Sequence, residues 1–378
     1  MSNPSPADPL TLGQHLVSVL DTGARVATYK SAVLVALLEF SVENVPDDHS
    51  SAVDVDLDDL AQRVVGLYWR QVRDFDGHYL RQSTQARATI PDAVREFARA
   101  TRTAGRETPL DIAALRNPDL FREMIKTVKR VLATQPLYRL QRVPGGYASE
   151  PFLYDDGWMS DKMGITTVLA HGNRITLYPG VCFALARMSA LLKPALMLAW
   201  VDDVRRKNSF LDDDVPDLEG HLFGSDRVAL ARPRAALIEA FGPSCFYCST
   251  RVGPEAHVDH VLPWSRVGID GLANLVLACP SCNTSKSQLL PARSHVVRAL
   301  DRGRQSITDL ATSIDWPVQF DRVVTSARGL YASQPAGSPI WWGRNKITAL
   351  QVDFAWLQGY RIDLSSVAEH LPSTNTKS

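Results

Sequence analysis

Two short stretches decide the fold of the last third of this chain: Cys-Phe-Tyr-Cys at residues 245–248 and Cys-Pro-Ser-Cys-Asn-Thr-Ser-Lys at residues 279–286. Free cysteines seldom pair so regularly, and in a reducing compartment such pairs favour zinc over disulfides. Each tight Cys-x-x-Cys turn supplies two thiolates to a tetrahedral ion. The spacing therefore predicts a structural zinc site with four ligands: Cys245, Cys248, Cys279 and Cys282. Such a site has no open position for water, so catalysis must come from other residues.

Residues 257–266, between the two cysteine pairs, read His-Val-Asp-His-Val-Leu-Pro-Trp-Ser-Arg. We predict a short β-strand that ends at Pro263. Side chains alternate between the two faces of a strand, so Asp259 and His260 point in opposite directions and His257 shares the face of Asp259. His257 has two interpretations at this point: a metal ligand or the partner of one, and, at least as well supported, a packed or hydrogen-bonded strand histidine.

The combination of Cys-x-x-Cys, Val-Asp-His-Val-x-Pro, Asn-Leu and Cys-x-x-Cys-Asn-x-x-Lys over residues 245–286 resembles the HNH nuclease family. The resemblance implies the ββα-metal, or His-Me finger, fold. It also implies that His260 is a general base and that Asp259 and Asn283 bind a catalytic Mg²⁺ or Mn²⁺ ion. Asn274 would hold the loop that orients the base. Many members carry histidine at the position of Asn283, and an amide oxygen favours hard cations such as magnesium.

Three basic residues are candidates for contact with nucleic acid. Lys286 follows Asn283 by about one helical turn, so we expect it to share the face of Asn283 and to reach a phosphate. A solvated helix lysine is the alternative. Arg251 and Arg266 are expected to line the substrate groove. Trp264, directly after Pro263, is expected to be a packing anchor rather than a platform on which bases stack.

The rest of the chain shows mainly helical periodicity. Asp56 is a candidate N-cap for one predicted helix, and Pro233 suits the first turn of another. Helices are predicted at residues 12–44, 57–72, 91–104, 117–134, 180–207, 233–241, 293–313 and 318–331. Residues 164–178 instead predict two short strands around a His-Gly-Asn turn. The expected fold class is α+β and mostly α-helical, with a helical N-terminal region and a small ββα-metal domain held by the four cysteines.

We predict four regions from these patterns. They are a helical recognition or regulatory domain at 1–145, a connecting β-hairpin and long helix at 146–225, the nuclease domain at 226–300, and a C-terminal helical extension at 301–378.

Composition supports an ordinary globular protein. Of 378 residues, 45% are hydrophobic and 22% are charged, and the formal net charge is zero. The apolar runs are short and the N-terminus lacks a signal-peptide pattern, so we expect a cytoplasmic protein with no membrane partner. A net charge of zero argues mildly against a protein that coats DNA, but not against one with a local basic groove.

The expected function is metal-dependent cleavage of DNA by an HNH endonuclease. Two alternatives stay open, a non-catalytic zinc module that binds nucleic acid and an RNA-cleaving toxin. The whole chain resembles standalone bacterial HNH proteins with helical N-terminal regions, several of which are thought to act in restriction or phage defence. That resemblance implies that the helical region selects the substrate or controls access, and that a ligand or partner can be needed for activity.

Overall fold

The computed structural model describes residues 8–22, 26–101, 108–142, 151–211, 217–224, 230–253, 256–351, 356 and 360. These residues form many helices and three antiparallel sheets of two strands each. The α+β, mostly helical class is therefore confirmed.

The N-terminal part is a helical body with one small sheet. Its helix α2 is mostly apolar and is buried on nearly all sides by its neighbours α3 and α8 and by a later helix, α15. Asp56 caps α3 as predicted, because its side chain accepts hydrogen bonds from the backbone N–H groups of Asp58 and Asp59. The elements are α1 (Pro9–Thr22), α2 (Tyr29–Glu43), β1 (Val53–Asp56), α3 (Leu57–Gln71), α4 (Thr89–Thr101), α5 (Leu110–Arg116), α6 (Pro118–Leu132), α7 (Ile165–Ala170), β2 (Arg174–Leu177), α8 (Val181–Lys207) and α9 (Leu218–Phe223).

The predicted hairpin within residues 164–178 is wrong. The first half forms helix α7, and the second half forms β2, which pairs with β1 from more than a hundred residues earlier. The His-Gly-Asn turn ends α7 instead of joining two strands, with Gly172 and Asn173 both at positive φ. Asn173 also donates hydrogen bonds to the carboxylates of Asp56 and Asp58, which secures β2 beside the start of α3.

The second part of the chain contains the finger and the helices that support it. Helix α10 ends at Gly242, which has a φ of 79°, and delivers the chain to Cys245. Strands β3 and β4 are antiparallel, with His257 opposite Ala278 and His260 opposite Leu275. The elements are α10 (Ala231–Phe241), β3 (His257–His260), α11 (Trp264–Val267), β4 (Leu275–Ala278), α12 (Pro280–Lys286), α13 (Arg293–Leu300), α14 (Arg304–Ser313) and α15 (Phe320–Ser333).

The predicted C-terminal helical extension is also partly wrong. After α15 the chain forms a β-hairpin of β5 (Pro339–Gly343) and β6 (Lys346–Ala349). The aromatic and β-branched residues favour strands, and Asn345, at a φ of 56°, allows the tight turn between them.

The finger and the helical body are in close contact. A Cβ atom on Gly329 of α15 would lie 1.6 Å from the carbonyl oxygen of Val42 in α2, so the two backbones touch directly. Trp264 packs against the hydrophobic core of the helical body, which confirms its prediction as an anchor. That core includes residues on both sides of residue 145. The predicted domain boundaries themselves stay a prediction.

Buried ion pairs join the same surfaces. Glu43 of α2 accepts hydrogen bonds from Arg63 of α3 and from Arg322 of α15, each at 2.8 Å. Glu39 of α2 pairs at 2.8 Å with Lys193 of α8. These ion pairs join α2 to α3, α8 and α15, and α15 is one of the helices that support the finger.

Helix α8 is the one described helix that is long and apolar enough to cross a membrane by length and composition alone. Half of its most apolar window is buried inside the protein, where it packs against α1 and α2. A buried core helix can have the same length and the same apolar composition as a membrane span.

Candidate functional site

The four cysteines of the finger converge on one point. Their sulfur atoms all lie within 4.8 Å of one another, and the Cys248 and Cys279 sulfurs are 3.8 Å apart. Zinc–sulfur bonds of about 2.3 Å place the sulfurs of a tetrahedral site about 3.8 Å apart, so this cluster could hold such an ion. Against the effect of burial, hydrogen bonds from Thr250 lower the pKa of Cys248 to about 6, whereas burial raises the pKa of Cys245 and Cys282. A bound cation would favour the thiolate form of all four.

A row of polar side chains lies where β3 packs against α12, and we call it the β3–α12 seam: His257, Asp259, Asn283 and Lys286. Tyr247 donates its hydroxyl proton to Asp259 Oδ2 at 2.6 Å. Lys286 Nζ lies 3.1 Å from the same oxygen and donates to the carbonyl oxygen of His260 at 2.6 Å. A carboxylate offers about four lone-pair sites, so Asp259 can also bind a cation.

The predicted phosphate contact of Lys286 is wrong. Its side chain is 1% exposed, because the face of α12 that it shares with Asn283 turns towards β3 and not towards solvent. Burial lowers the pKa of Lys286, against the opposing effect of the Asp259 charge. The ammonium group instead ties the strand to the helix.

His257 and Asn283 meet at the exposed end of the seam. The His257 Nδ1 atom is 2.9 Å from the Asn283 side-chain nitrogen, and His257 lies on the same strand face as Asp259. The Asn283 amide oxygen stays available as a ligand. Carboxylate oxygen, amide oxygen and imidazole nitrogen are donors that suit a divalent cation of the magnesium and manganese class. The contact with Asn283 fits both a partner of a metal ligand and a hydrogen-bonded strand histidine, so a metal-binding role of His257 stays a prediction.

His260 points to the opposite side of β3, towards an aspartate that the sequence prediction missed. The His260 Nε2 atom is 2.8 Å from Asp270 Oδ1. Burial alone would raise the pKa of Asp270, but the hydrogen bond and charge of His260 outweigh it and lower that pKa. Asp270 is therefore a carboxylate that accepts a hydrogen bond from Nε2, and in the neutral form of the ring this leaves Nδ1 of His260 as the acceptor.

Spacing along the sequence does not identify Asp270 as the partner of His260. The loop after His260 returns at Leu275, which pairs with His260, so a residue shortly before Leu275 must come close to the histidine. That inference needs the strand pairing and not the spacing alone.

Asn274 is fully buried and holds both ends of this loop. Its side chain accepts a hydrogen bond from the Leu262 N–H at 2.8 Å and donates to the carbonyl oxygens of Leu262 and Ile269, each at 3.1 Å. The loop carries Asp270, so Asn274 has the contacts expected of a residue that positions the base. Its effect on catalysis stays a prediction.

The two arginine candidates lie apart from the seam. Arg251 is exposed beside the first cysteine pair, and Arg266 is half-buried in α11, where burial lowers its pKa. Contact of either residue with nucleic acid stays a prediction.

Comparison with known families identifies both parts of the chain. Residues 245–289 match the family model described as HNH endonuclease, which confirms the resemblance and indicates a nuclease-type domain. Residues 10–213 match a model described as a domain of unknown function, DUF8808. Searches of curated proteins and of solved structures gave no match.

Proposed function

We propose that this chain, which belongs to the DUF8808 family by a match over more than half of its length, is a metal-dependent endonuclease that hydrolyses DNA phosphodiester bonds. The reaction would take place in its HNH domain. One observation carries the proposal: a histidine held by a carboxylate stands at the end of β3, and the seam of possible cation ligands lies on the other face of that strand.

His260 is the proposed general base. Because Asp270 accepts the Nε2 proton, the imidazole ring is held in one orientation and one tautomer. The Nδ1 atom can then take the proton from the attacking water. Asn274 supports this arrangement by closing the loop that carries Asp270.

The seam would hold the catalytic cation through Asp259 and Asn283, with His257 as a further ligand. When bound, a Mg²⁺ or Mn²⁺ ion supplies positive charge next to the scissile phosphate and the leaving oxygen. Lys286 contacts both the Asp259 carboxylate and the His260 carbonyl oxygen. A single ammonium group therefore fixes the distance between the cation side and the base side of the strand.

We propose that the four-cysteine site binds zinc and that this zinc is structural. Its second cysteine pair lies at the start of α12, so the ion would hold α12 and its Asn283 in place beside β3. Thiolate ligands suit a reducing cytoplasm. By analogy with other helical HNH proteins, we propose that the chain acts in restriction or phage defence, with the helical body selecting the substrate.

Nicking of supercoiled plasmid tests the proposal. Wild-type protein is incubated with Mg²⁺ or Mn²⁺ and, separately, with EDTA, and zinc content is measured in each sample. His260→Ala is compared with His49→Ala, which changes an exposed histidine of the helical body. We expect nicking by wild type and His49→Ala, and a loss of at least about 100-fold in His260→Ala with zinc retained.

The contrary outcomes are also specific. Equal nicking by His260→Ala and wild type would refute the assignment of the base. Cleavage of RNA without cleavage of DNA would show a ribonuclease. Nucleic-acid binding without cleavage of either substrate would favour the non-catalytic module.

A further inference from the structure

We infer that the β5–β6 hairpin and helix α13 form a duplex-DNA-binding surface that holds the substrate next to the catalytic seam. We call it the basic hairpin surface: Trp342, Arg344 and Lys346 of the hairpin with Arg293 and Arg298 of α13. The inference rests on the proposed nuclease function, because it concerns the substrate of the same site.

The hairpin is attached to the catalytic helix. Ser285 of α12 accepts one hydrogen bond from the indole N–H of Trp341, at 3.0 Å, and another from the backbone N–H of Asn345, at 2.9 Å. Ser285 lies between Asn283 and Lys286 in the sequence. The turn of the hairpin is therefore attached to the same helix that carries Asn283 and Lys286 of the seam.

The hairpin presents residues that the core does not use. Trp341 is buried against Tyr247 and His295, whereas the next residue, Trp342, is 54% exposed. All four residues of β6 are exposed. An exposed tryptophan and an exposed lysine on a fixed hairpin are not needed for packing, so both side chains are open to a binding partner.

The charge of this surface is positive although the chain as a whole is neutral. Residues 334–351 include Arg344 and Lys346 but no aspartate or glutamate. Arg344 also contacts the Cys279 sulfur at 3.7 Å, which places it over the second cysteine pair.

Helix α13 carries further positively charged residues next to the hairpin. His295 lies 2.9 Å from the carbonyl oxygen of Trp342 through Nε2 and 3.3 Å from the Arg298 guanidinium through Nδ1. It thus connects the hairpin to the helix. Arg293 and Arg298 are both exposed on α13, and Arg298 also lies over the Phe246 ring and donates to the Phe246 carbonyl oxygen. Arg298 thus adds a positive charge next to Arg344 and Lys346 of the hairpin.

Duplex DNA fits this surface by shape and chemistry. The major groove of B-DNA admits a two-stranded β-ribbon, and arginine and asparagine are the side chains that most often bind its base edges. The hairpin turn carries Arg344 and Asn345, and Lys346 can bind a phosphate. The deep and narrow major groove of duplex RNA excludes such a ribbon.

Binding of a short DNA duplex, followed by fluorescence anisotropy in Mg²⁺, tests the inference. All variants carry His260→Ala, so that the duplex stays intact. Trp342→Ala with Lys346→Ala is compared with Leu120→Ala with Lys126→Ala on α6, because these control residues are 52% and 63% exposed. We expect the hairpin variant to bind the duplex at least about tenfold more weakly, with the control unchanged. The slope of log Kd against log salt concentration should decrease by about one, because one phosphate contact is lost.

Unchanged binding by the hairpin variant, or an equal loss in the control, would overturn the inference. So would tighter binding of duplex RNA than of DNA through the same residues. Failure of the proposed function gives a different result: wild type that does not nick plasmid, but binds DNA through the hairpin, would refute the nuclease and keep the surface. Plasmid nicking by wild type, together with unchanged DNA binding by the hairpin variant, would keep the nuclease and refute the surface.

Discussion

Replacement of Lys286 by methionine gives a direct measure of the contact between strand and helix in the finger. The substitution keeps an apolar stem of similar length and removes the ammonium group. Lys286 is 1% exposed, and its partner Asp259 is 10% exposed with its oxygen 3.1 Å away. Removing one partner of a buried ion pair costs about 3–5 kcal/mol, because the other charge remains buried. Tyr247 still donates to Asp259, so we expect a loss of about 3 kcal/mol.

The free energy of unfolding is measured with urea, by circular dichroism, on zinc-loaded protein without magnesium. Lys126→Met is the matched control, because it removes the same group from a 63% exposed lysine that lies 3.7 Å from Glu123. That exposed pair contributes about 0.5 kcal/mol or less. A second variant combines Lys286→Met with Asp259→Asn, which also removes the unpaired charge and should recover at least half of the loss.

Two results would refute this reasoning. A loss in Lys286→Met within about 1 kcal/mol of the loss in Lys126→Met would show that the ammonium group does not compensate the Asp259 charge. A double variant as unstable as Lys286→Met would show that packing or the lost hydrogen bond to the His260 carbonyl oxygen, and not an unpaired carboxylate, determines the cost.

Three further predictions concern the interface, the cysteine site and the base. Gly329→Ala should lower the free energy of unfolding by about 2–3 kcal/mol in the same urea titration. Gly66→Ala, whose new methyl group would make an ordinary contact with Leu110 Cδ2 at 4.0 Å, should raise it by about 0.5–1 kcal/mol. Cys282→Ser should reduce bound zinc from one ion per chain to near zero by elemental analysis, and bound zinc near one would contradict the four-ligand site. Asp270→Asn should slow plasmid nicking about 10- to 100-fold at unchanged zinc content, and an unchanged rate would exclude a role in holding His260.

Local patterns were sufficient to predict much of the finger. The two cysteine pairs lie in tight turns that bring their sulfurs together, and the cap at Asp56 depends only on the next three residues. The buried position of Asn274 also agrees with the loop-holding role that the resemblance implied. The cap and the Asn274 contacts lie within one turn or one short loop, whereas the two cysteine pairs meet across 31 positions and were predicted from the chemistry of zinc ligands.

The errors come from contacts between distant segments. Helical spacing places Lys286 and Asn283 on one face, but only the packing of α12 on β3 determines that this face is covered. Asp270 could be identified as the partner of His260 only from the antiparallel pairing of β3 and β4, which brings its loop back to that histidine. The segment around Asn173 ended a helix and not a hairpin, because its strand pairs with β1. Spacing along the chain does not determine these tertiary partners.

The contact between Gly329 and the Val42 carbonyl oxygen limits how this protein can be re-engineered. The two backbones leave no room for a side chain at Gly329. If the finger and its supporting helix α15 were moved to another protein, the helix that replaces α2 would have to approach Gly329 equally closely. Arg322 would also need an acceptor in the position of Glu43. The nuclease finger is therefore not an interchangeable cassette, and functional chimaeras should keep α2 and α15 from the same parent.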